Sequence, residues 1–170
     1  ATGGSAGGHL ATLMALTQNQ PEFQPGFTKA NTNIQGCVSM YGVYEFSEPF
    51  NNATLYPAKA KLLKIVCGGT PDTKPESYYQ ITPANWILND PPPFLVVQGD
   101  TDALISTNEA RQFFHSLKAQ NAKNCAFLNL PLVEHAFDIF PTLTAQCIVP
   151  TLERYFIMLH ENYIINKGEI

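Results

Sequence analysis

Continuous runs of apolar residues mark three places where this chain is expected to cross the interior of a sheet. They lie at residues 34–41, 94–98 and 126–132, and Phe94-Leu95-Val96-Val97-Gln98 is the clearest of them. Strands that are uniformly apolar, instead of alternating with polar residues, are typical of parallel sheets covered on both faces. We therefore predict a buried strand at each run.

A different spacing, with apolar residues three or four positions apart, separates these runs and predicts helices. It occurs at residues 6–17, 58–67 and 107–119 and within 140–162, whereas the polar stretch 18–33 is typical of a loop. Strands and helices therefore alternate along the chain. This order predicts an α/β fold, a mostly parallel sheet with crossover helices.

The chain opens on a glycine-rich stretch directly before the first predicted helix. Gly3-x-Ser5-x-Gly7 has the form of a nucleophile elbow, a sharp turn from a strand into a helix with an exposed serine at its apex. Side chains two positions before and after the apex would clash with the neighbouring backbone, which is why glycine is expected at Gly3 and Gly7. Because so short a pattern also fits an ordinary turn, its interpretation depends on the rest of the chain.

The residue after the serine has a separate expected role. The amide of Ala6 would lie at the N-terminus of the first helix, where the helix dipole favours negative charge. If Ser5 attacks a carbonyl group, this amide can donate a hydrogen bond to the oxyanion that forms. We therefore predict Ala6 as one donor of an oxyanion hole.

A serine nucleophile needs a base to accept its proton, and the base needs an acid to hold its tautomer. Two turns after predicted strands supply both groups, Gly99-Asp100-Thr101-Asp102 and Glu134-His135-Ala136-Phe137. Because sites in parallel sheets form at the carboxyl ends of the strands, both turns and the elbow are expected at one edge. Ser5, Asp102 and His135 are the predicted nucleophile, acid and base, in the chain order Ser…Asp…His.

Other carboxylates lie close enough in sequence to compete with Asp102. Asp100 could orient the histidine, but aspartate also caps turns, and we assign Asp100 that role. Glu134 adjoins His135, a position from which it could not easily orient the imidazole. Asp138 is expected to cap the helix that follows.

The remaining histidines are interpreted as structural. His115 and His160 fall within predicted helices, where a lone histidine is usually a surface or packing residue. His9 lies one helical turn after Ser5 on the same helix and is held too rigidly to reach back to the serine. We expect His9 to pack or to form a hydrogen bond.

Composition narrows the classes of function. The 170 residues are 45% hydrophobic and carry 10 Lys and Arg against 14 Asp and Glu, for a net charge of −4. These values indicate a globular domain, with no basic run for a nucleic acid and no apolar stretch of membrane-spanning length. We predict no nucleic-acid partner and no membrane span, and the oligomeric state stays open.

The four cysteines, Cys37, Cys67, Cys125 and Cys147, have neither CxxC nor metal-site spacing. Cys37 and Cys125 fall in apolar strand-like runs, where free thiols are commonly buried. We predict no disulfide framework, no metal and no cofactor, and the cysteine pattern favours a reducing compartment such as the cytoplasm. The sequon Asn52-Ala53-Thr54 would matter only in a secreted protein.

Together these motifs make the chain resemble the C-terminal half of an α/β-hydrolase of the hormone-sensitive-lipase-like esterase and lipase group. Residues 3–11 are similar to that group's elbow, and residues 40–44 to the segment after its sixth strand. Residues 99–105 match its acid turn, with the catalytic aspartate at Asp102, and residues 134–137 match its histidine turn. The likeness extends over nearly all 170 residues.

The resemblance implies that residues 1–170 are a partial α/β-hydrolase domain. The family's first five strands and its His-Gly-Gly oxyanion loop precede the elbow and are missing from this sequence. The N-terminal half of the same chain is therefore an expected partner. We expect the strand near Ile34 to lack its neighbour, and the fragment alone to be inactive and poorly soluble.

The resemblance implies hydrolysis of a small-molecule carboxylic ester through an acyl-enzyme on Ser5. A serine exopeptidase or amidase would use the same triad, although no acidic pair for a peptide amine is visible. A non-catalytic binding module or an inactive truncated product is the other alternative, and the presence of all three triad residues argues against a binding module. The aromatic residues of segment 40–56, with Trp86, would either wall a substrate pocket or pack in the core.

Overall fold

The computed structural model of the chain describes residues 1–46, 57–87, 90–120 and 124–168. Within these ranges, parallel strands form one four-stranded sheet whose spatial order is also the order along the chain. The strands are β1 (Thr2–Gly4), β2 (Cys37–Met40), β3 (Phe94–Gly99) and β4 (Cys125–Leu130). The predicted α/β class with a parallel sheet is confirmed.

Helices occupy the connections between the strands, as a parallel sheet requires. In chain order they are α1 (Ala6–Leu16), α2 (Pro57–Val66), α3 (Pro75–Ile81), α4 (Thr107–Ala119) and α5 (Leu143–Lys167). Two single 3₁₀ turns, Pro21–Phe23 and Pro83–Trp86, interrupt the loops after α1 and α3. Neither α5 nor any other helix in the described ranges combines the length and the apolarity needed to cross a membrane.

The core lies on both faces of β3, whose six residues are all buried. Phe94 and Val96 point to a cluster shared with α1 and α4, whereas Leu95 and Val97 point to a cluster shared with α5. Side chains of successive strand residues point to opposite faces, so a strand with core on both sides must be apolar throughout. This arrangement explains the uninterrupted apolar run of the sequence.

The pairing of β2 differs from the sequence prediction. The expectation that the strand near Ile34 lacks a neighbour is wrong, because β2 pairs with β1 through Gly3 and Ser39 and with β3 through Ser39 and Val96. Three residues of the strand before the elbow are therefore present, although that strand was expected to lie wholly upstream. The open edge on this side of the described sheet is β1.

The aromatic residues after β2 pack into the interior as far as the described chain shows them. Tyr44 is 1% exposed and stacks on Phe113 of α4, with ring centroids 4.2 Å apart. Phe46 joins a small cluster with α2 and α3, and Trp86 packs against the core cluster under α1. Tyr44 and Phe46 are therefore core residues, whereas Trp86 is half-buried. Phe50, Tyr56 and the sequon at Asn52 lie outside the described residues.

Candidate active site

Ser5 occupies the turn between β1 and α1 in a strained backbone conformation, with φ 54 and ψ −120. A positive φ is costly for a residue other than glycine and persists only where surrounding contacts enforce it. Here the Ser5 amide donates to the Met40 carbonyl at 3.0 Å, and the Ser5 carbonyl accepts from the His9 amide at 2.9 Å. These bonds hold Ser5 at the carboxyl edge of β2.

The glycines around Ser5 divide into those that the packing requires and one that it does not. A Cβ at Gly3 would overlap the Gly7 carbonyl group, and a Cβ at Gly8 would lie 2.8 Å from the Met40 carbonyl oxygen. The clash expected from a side chain at Gly7 is wrong, because a Cβ there has no heavy atom within 4 Å. Gly7 contributes its backbone to the close approach. Gly8 must lack a side chain, and so must Gly4, where a Cβ would overlap the Tyr41 ring.

The side chains of the three residues that the sequence singled out meet at this edge. Nε2 of His135 lies 2.9 Å from Oγ of Ser5, and Nδ1 of His135 lies 2.8 Å from Oδ2 of Asp102. Because the carboxylate only accepts, Nδ1 carries the proton and Nε2 presents its lone pair to the serine hydroxyl. The Asp102 side chain is fully buried and that of His135 is 14% exposed.

Asp102 is held by donors on both carboxylate oxygens. Oδ1 accepts from the amides of Leu104 and Ile105, each at 2.8 Å. Oδ2 accepts from Nδ1 of His135 and from Nε2 of Gln98, the latter at 2.9 Å. A buried carboxylate requires such donors to offset the loss of its hydration.

The competing carboxylates face other groups. Asp100 accepts from the Leu132 amide at 2.6 Å and Glu134 accepts from the Ala103 amide at 3.3 Å, so both join the acid turn to the histidine turn. The expectation that Asp138 caps the next helix is wrong. Thr142 caps α5 by accepting from the Ala145 amide at 3.1 Å.

Asp138 instead accepts a hydrogen bond from the hydroxyl of Tyr41, which the sequence analysis included in the aromatic segment 40–56 without giving it a role of its own. The Tyr41 ring meets the His135 ring edge-on, with centroids 4.7 Å apart. Burial, and then the hydrogen bond to Asp138, raises the pKa of Tyr41, which keeps its hydroxyl a neutral donor. Its position directly after a buried strand, at the carboxyl edge, was the available sequence signal.

The other residues considered in the sequence analysis are Ala6 and the three histidines outside the histidine turn. Ala6 is the first residue of α1, so its amide is among those that a helix leaves without an intrahelical acceptor. His9 bonds through Nε2 to the Ile81 carbonyl at 2.7 Å, and burial lowers its pKa against the raising effect of that bond. His115 lies on α4 and His160 on α5.

All four cysteines are free thiols, with Cys37 and Cys67 buried, Cys125 half-buried and Cys147 exposed. Burial raises the pKa of the Cys37 thiol to about 12, which leaves it protonated and unreactive. Among the residues that the structure describes, no group of three or more His, Cys, Asp or Glu side chains could hold a metal ion.

Comparison with known proteins identifies the family of this chain. Residues 1–117 match the family model described as BD-FAE. The probable carboxylic ester hydrolase LipM of Mycobacterium tuberculosis (strain ATCC 25618 / H37Rv) is 37% identical over 155 residues, which cover 91% of this chain and 36% of LipM. Esterase LipQ of the same strain is 29% identical over 160 residues, covering 94% of this chain and 37% of LipQ.

Solved structures agree on the fold. Esterase B from Lactobacillus rhamnosis (HN001) superposes with a TM-score of 0.78 at 21% identity, covering 98% of this chain and 54% of that one. The thermophilic esterase Est2 from Thermogutta terrifontis superposes with a TM-score of 0.67 at 19% identity, with 98% and 54% covered.

The chain spans little more than a third of the length of these curated relatives, 36% of LipM and 37% of LipQ. The BD-FAE match, by contrast, takes in more than half of the chain. This chain therefore belongs to the BD-FAE family, within the hormone-sensitive-lipase-like esterase group of the α/β-hydrolases.

Proposed function

We propose that this chain carries the catalytic triad of a serine carboxylesterase, with Ser5 as nucleophile, His135 as base and Asp102 as orienting acid. The observation that carries the proposal is the continuous relay from Asp102 through His135 to Ser5, with contacts of 2.8 and 2.9 Å. The names of the curated relatives, carboxylic ester hydrolase and esterase, support the reaction class.

In the proposed reaction, Nε2 of His135 takes the hydroxyl proton while Oγ of Ser5 attacks the ester carbonyl carbon. The imidazolium that forms is stabilised by the Asp102 carboxylate. His135 then gives the proton to the leaving alcohol as the C–O bond breaks, which leaves an acyl-enzyme on Ser5. A water molecule, deprotonated by His135, attacks the acyl group and releases the acid.

The amide of Ala6 is the proposed oxyanion donor that this chain contributes. It lies beside Ser5 at the start of α1, where the helix dipole favours the developing negative charge. An oxyanion hole needs further donors, which we assign to a part of the domain outside residues 1–170. The exposed apolar side chains of Leu10 and Met14 on α1, 56% and 57% accessible, support packing of such a part beside the β1 edge.

The four free cysteines support the reducing, cytoplasmic location that the sequence favours. A small-molecule ester remains the proposed substrate.

The experiment that tests the activity follows p-nitrophenol release from acetate, butyrate and longer esters by the full-length protein. Ser5→Ala is the test variant and Ser116→Ala the matched control, because Ser116 is an exposed serine on α4. We expect Ser5→Ala to lower kcat by at least about 10⁴-fold without changing the thermal midpoint, whereas Ser116→Ala retains full activity.

Retention of ester hydrolysis by folded Ser5→Ala would refute the assignment of the nucleophile. Cleavage of aminoacyl p-nitroanilides with no cleavage of the esters would replace the esterase by the peptidase or amidase alternative.

A further inference from the structure

Gln98 makes a contact with the triad that the reaction above does not require. It is a fully buried residue of β3, and its Nε2 lies 2.9 Å from Oδ2 of Asp102. The same oxygen accepts from Nδ1 of His135 at 2.8 Å. Resting on the proposed function, we propose that Gln98 is a positioning residue, which holds Oδ2 of Asp102 towards His135 throughout the reaction.

The geometry of the carboxylate explains why such a residue is useful. Two backbone amides hold Oδ1 of Asp102, at Leu104 and Ile105. The other donor to Oδ2 is Nδ1–H of His135, on a ring whose charge changes as Nε2 takes and returns the proton. A second donor on Oδ2, from a side chain buried in the sheet, keeps the acid in one orientation while the charge of the imidazole changes.

The orientation of the Gln98 amide is determined by its surroundings. Besides Asp102, Nε2 faces the carbonyl oxygens of Ile105 at 3.2 Å and Gly99 at 3.4 Å, so three acceptors surround the amide nitrogen. Exchanging the amide oxygen and nitrogen would turn Oε1 towards the Asp102 carboxylate. The amide nitrogen therefore faces Asp102 and donates to it, because the exchanged orientation would place two acceptors against each other.

In this orientation the amide oxygen of Gln98 is left without a hydrogen bond from the described residues, which lowers the stability of the fold. Oε1 of Gln98 is buried and has no hydrogen-bond partner among the described residues. An unpaired buried carbonyl oxygen lowers the stability of the fold, and an apolar side chain of similar size would avoid that loss. The glutamine therefore serves this position through its donor and not through a contribution to folding.

The neighbouring strand offers a matched control. Asn129 of β4 pairs in register with Gln98, so the two side chains lie on the same face of the sheet. Oδ1 of Asn129 is also buried without a hydrogen-bond partner in the described part of the chain. Asn129 is half-buried and has no hydrogen bond to the triad in that part. Replacing it removes a neighbouring amide whose oxygen is also unpaired there, and leaves Asp102 untouched.

The test compares Gln98→Met and Gln98→Leu with Asn129→Leu and the wild type in the full-length protein. We expect both Gln98 variants to lower kcat for p-nitrophenyl esters by about tenfold, the loss of one charge-assisted hydrogen bond, with KM unchanged. The thermal midpoint should fall only slightly, because removal of the unpaired oxygen partly offsets the loss of the donor to Asp102 and Ile105. Asn129→Leu should keep the wild-type kcat.

A second readout reports on the contact itself. The low-field proton resonance of the His135 Nδ1–H group should move further downfield in the Gln98 variants, because Oδ2 of Asp102 then serves one donor instead of two. An unchanged kcat, an unchanged resonance, or a collapse of stability in both Gln98 variants would overturn the proposal. A failure of the proposed function is distinguishable, since it would show as full ester hydrolysis in Ser5→Ala.

Discussion

Backbone strain in this chain is concentrated around the candidate site. Among the described residues, six that are not glycine have a positive φ. One of them is Ser5 of the proposed triad, and three more, Tyr41, Leu132 and Ala136, lie near it. Each is held by a specific contact, as when Tyr41 is fastened by the bond from its hydroxyl to Asp138. Strained residues persist where neighbouring contacts over-determine them, which is common at sites that need fixed geometry.

His9 provides a pH-dependent prediction at the same scale. Burial lowers its pKa below the usual value of 6.5, so its contribution to stability is fully present above pH 6.5 and is lost as pH falls towards the lower folded-state pKa. We expect the free energy of unfolding to fall between about pH 7 and about pH 5, and His9→Gln to reduce that fall. Urea unfolding at the two pH values measures it.

His115→Gln is the control for this measurement, because His115 lies exposed on α4. It should leave the pH dependence unchanged. A slope that is the same in His9→Gln as in the wild type would contradict the role assigned to the burial of His9.

At the scale of elements, the elbow depends on the close approach of α1 to β2. The Gly8 carbonyl accepts from Oγ1 of Thr12 at 2.7 Å and from Oγ of Ser39 at 3.1 Å, and both side chains are fully buried. The hydroxyl of Tyr44 donates to Ser39 at 2.9 Å and extends the network into the loop after β2. The helix lies so close to the strand at Gly8 that this position has no space for a side chain.

Replacing neighbouring glycines tests this packing. Gly8→Ala should lower the free energy of unfolding by about 2 kcal/mol, because its Cβ meets the fixed Met40 carbonyl. Gly7→Ala, with open space around its Cβ, should raise it by about 0.5 kcal/mol, since alanine favours the helix. Chemical denaturation of both variants measures the difference, and equal stabilities would be inconsistent with the packing described.

At the scale of the whole molecule, one buried carboxylate joins segments that are distant in the chain. Glu109 of α4 is 5% exposed, and its Oε1 accepts from the amides of Tyr44 at 2.8 Å and Glu45 at 3.1 Å. Its Oε2 pairs with Nζ of Lys59 on α2 at 3.1 Å. Glu109 thereby fixes the loop after β2, which begins with the residue that packs on His135.

Removing either partner of this ion pair should have unequal effects. Glu109→Gln should lower the free energy of unfolding by about 3 kcal/mol. The NH₂ group of the buried glutamine would face either the backbone amides or Lys59, which are themselves donors. Lys59→Met should lower it by no more than about 1 kcal/mol, since the Lys59 side chain is 17% exposed and the backbone amides still serve Glu109. Urea denaturation compares them, and equal losses would show that Lys59 is the essential partner.

The sequence by itself determined the class of the fold and the residues worth examining. Apolar periodicity is a local property, so β2, β3 and the helices around them could be predicted from neighbouring residues alone. Ser5, Asp102 and His135 could be proposed because each has a chemically apt side chain directly after an element of known direction.

What only the tertiary structure decided was which side chains meet. Tyr41 and Asp138 are separated by 97 positions in the chain, and no local pattern relates them. The same holds for the contact of Gln98 with Asp102, for the pairing of β1 with β2, and for the need for glycine at Gly8 and not at Gly7. These contacts depend on strand register and on the distance between a helix and a sheet, which many residues set jointly.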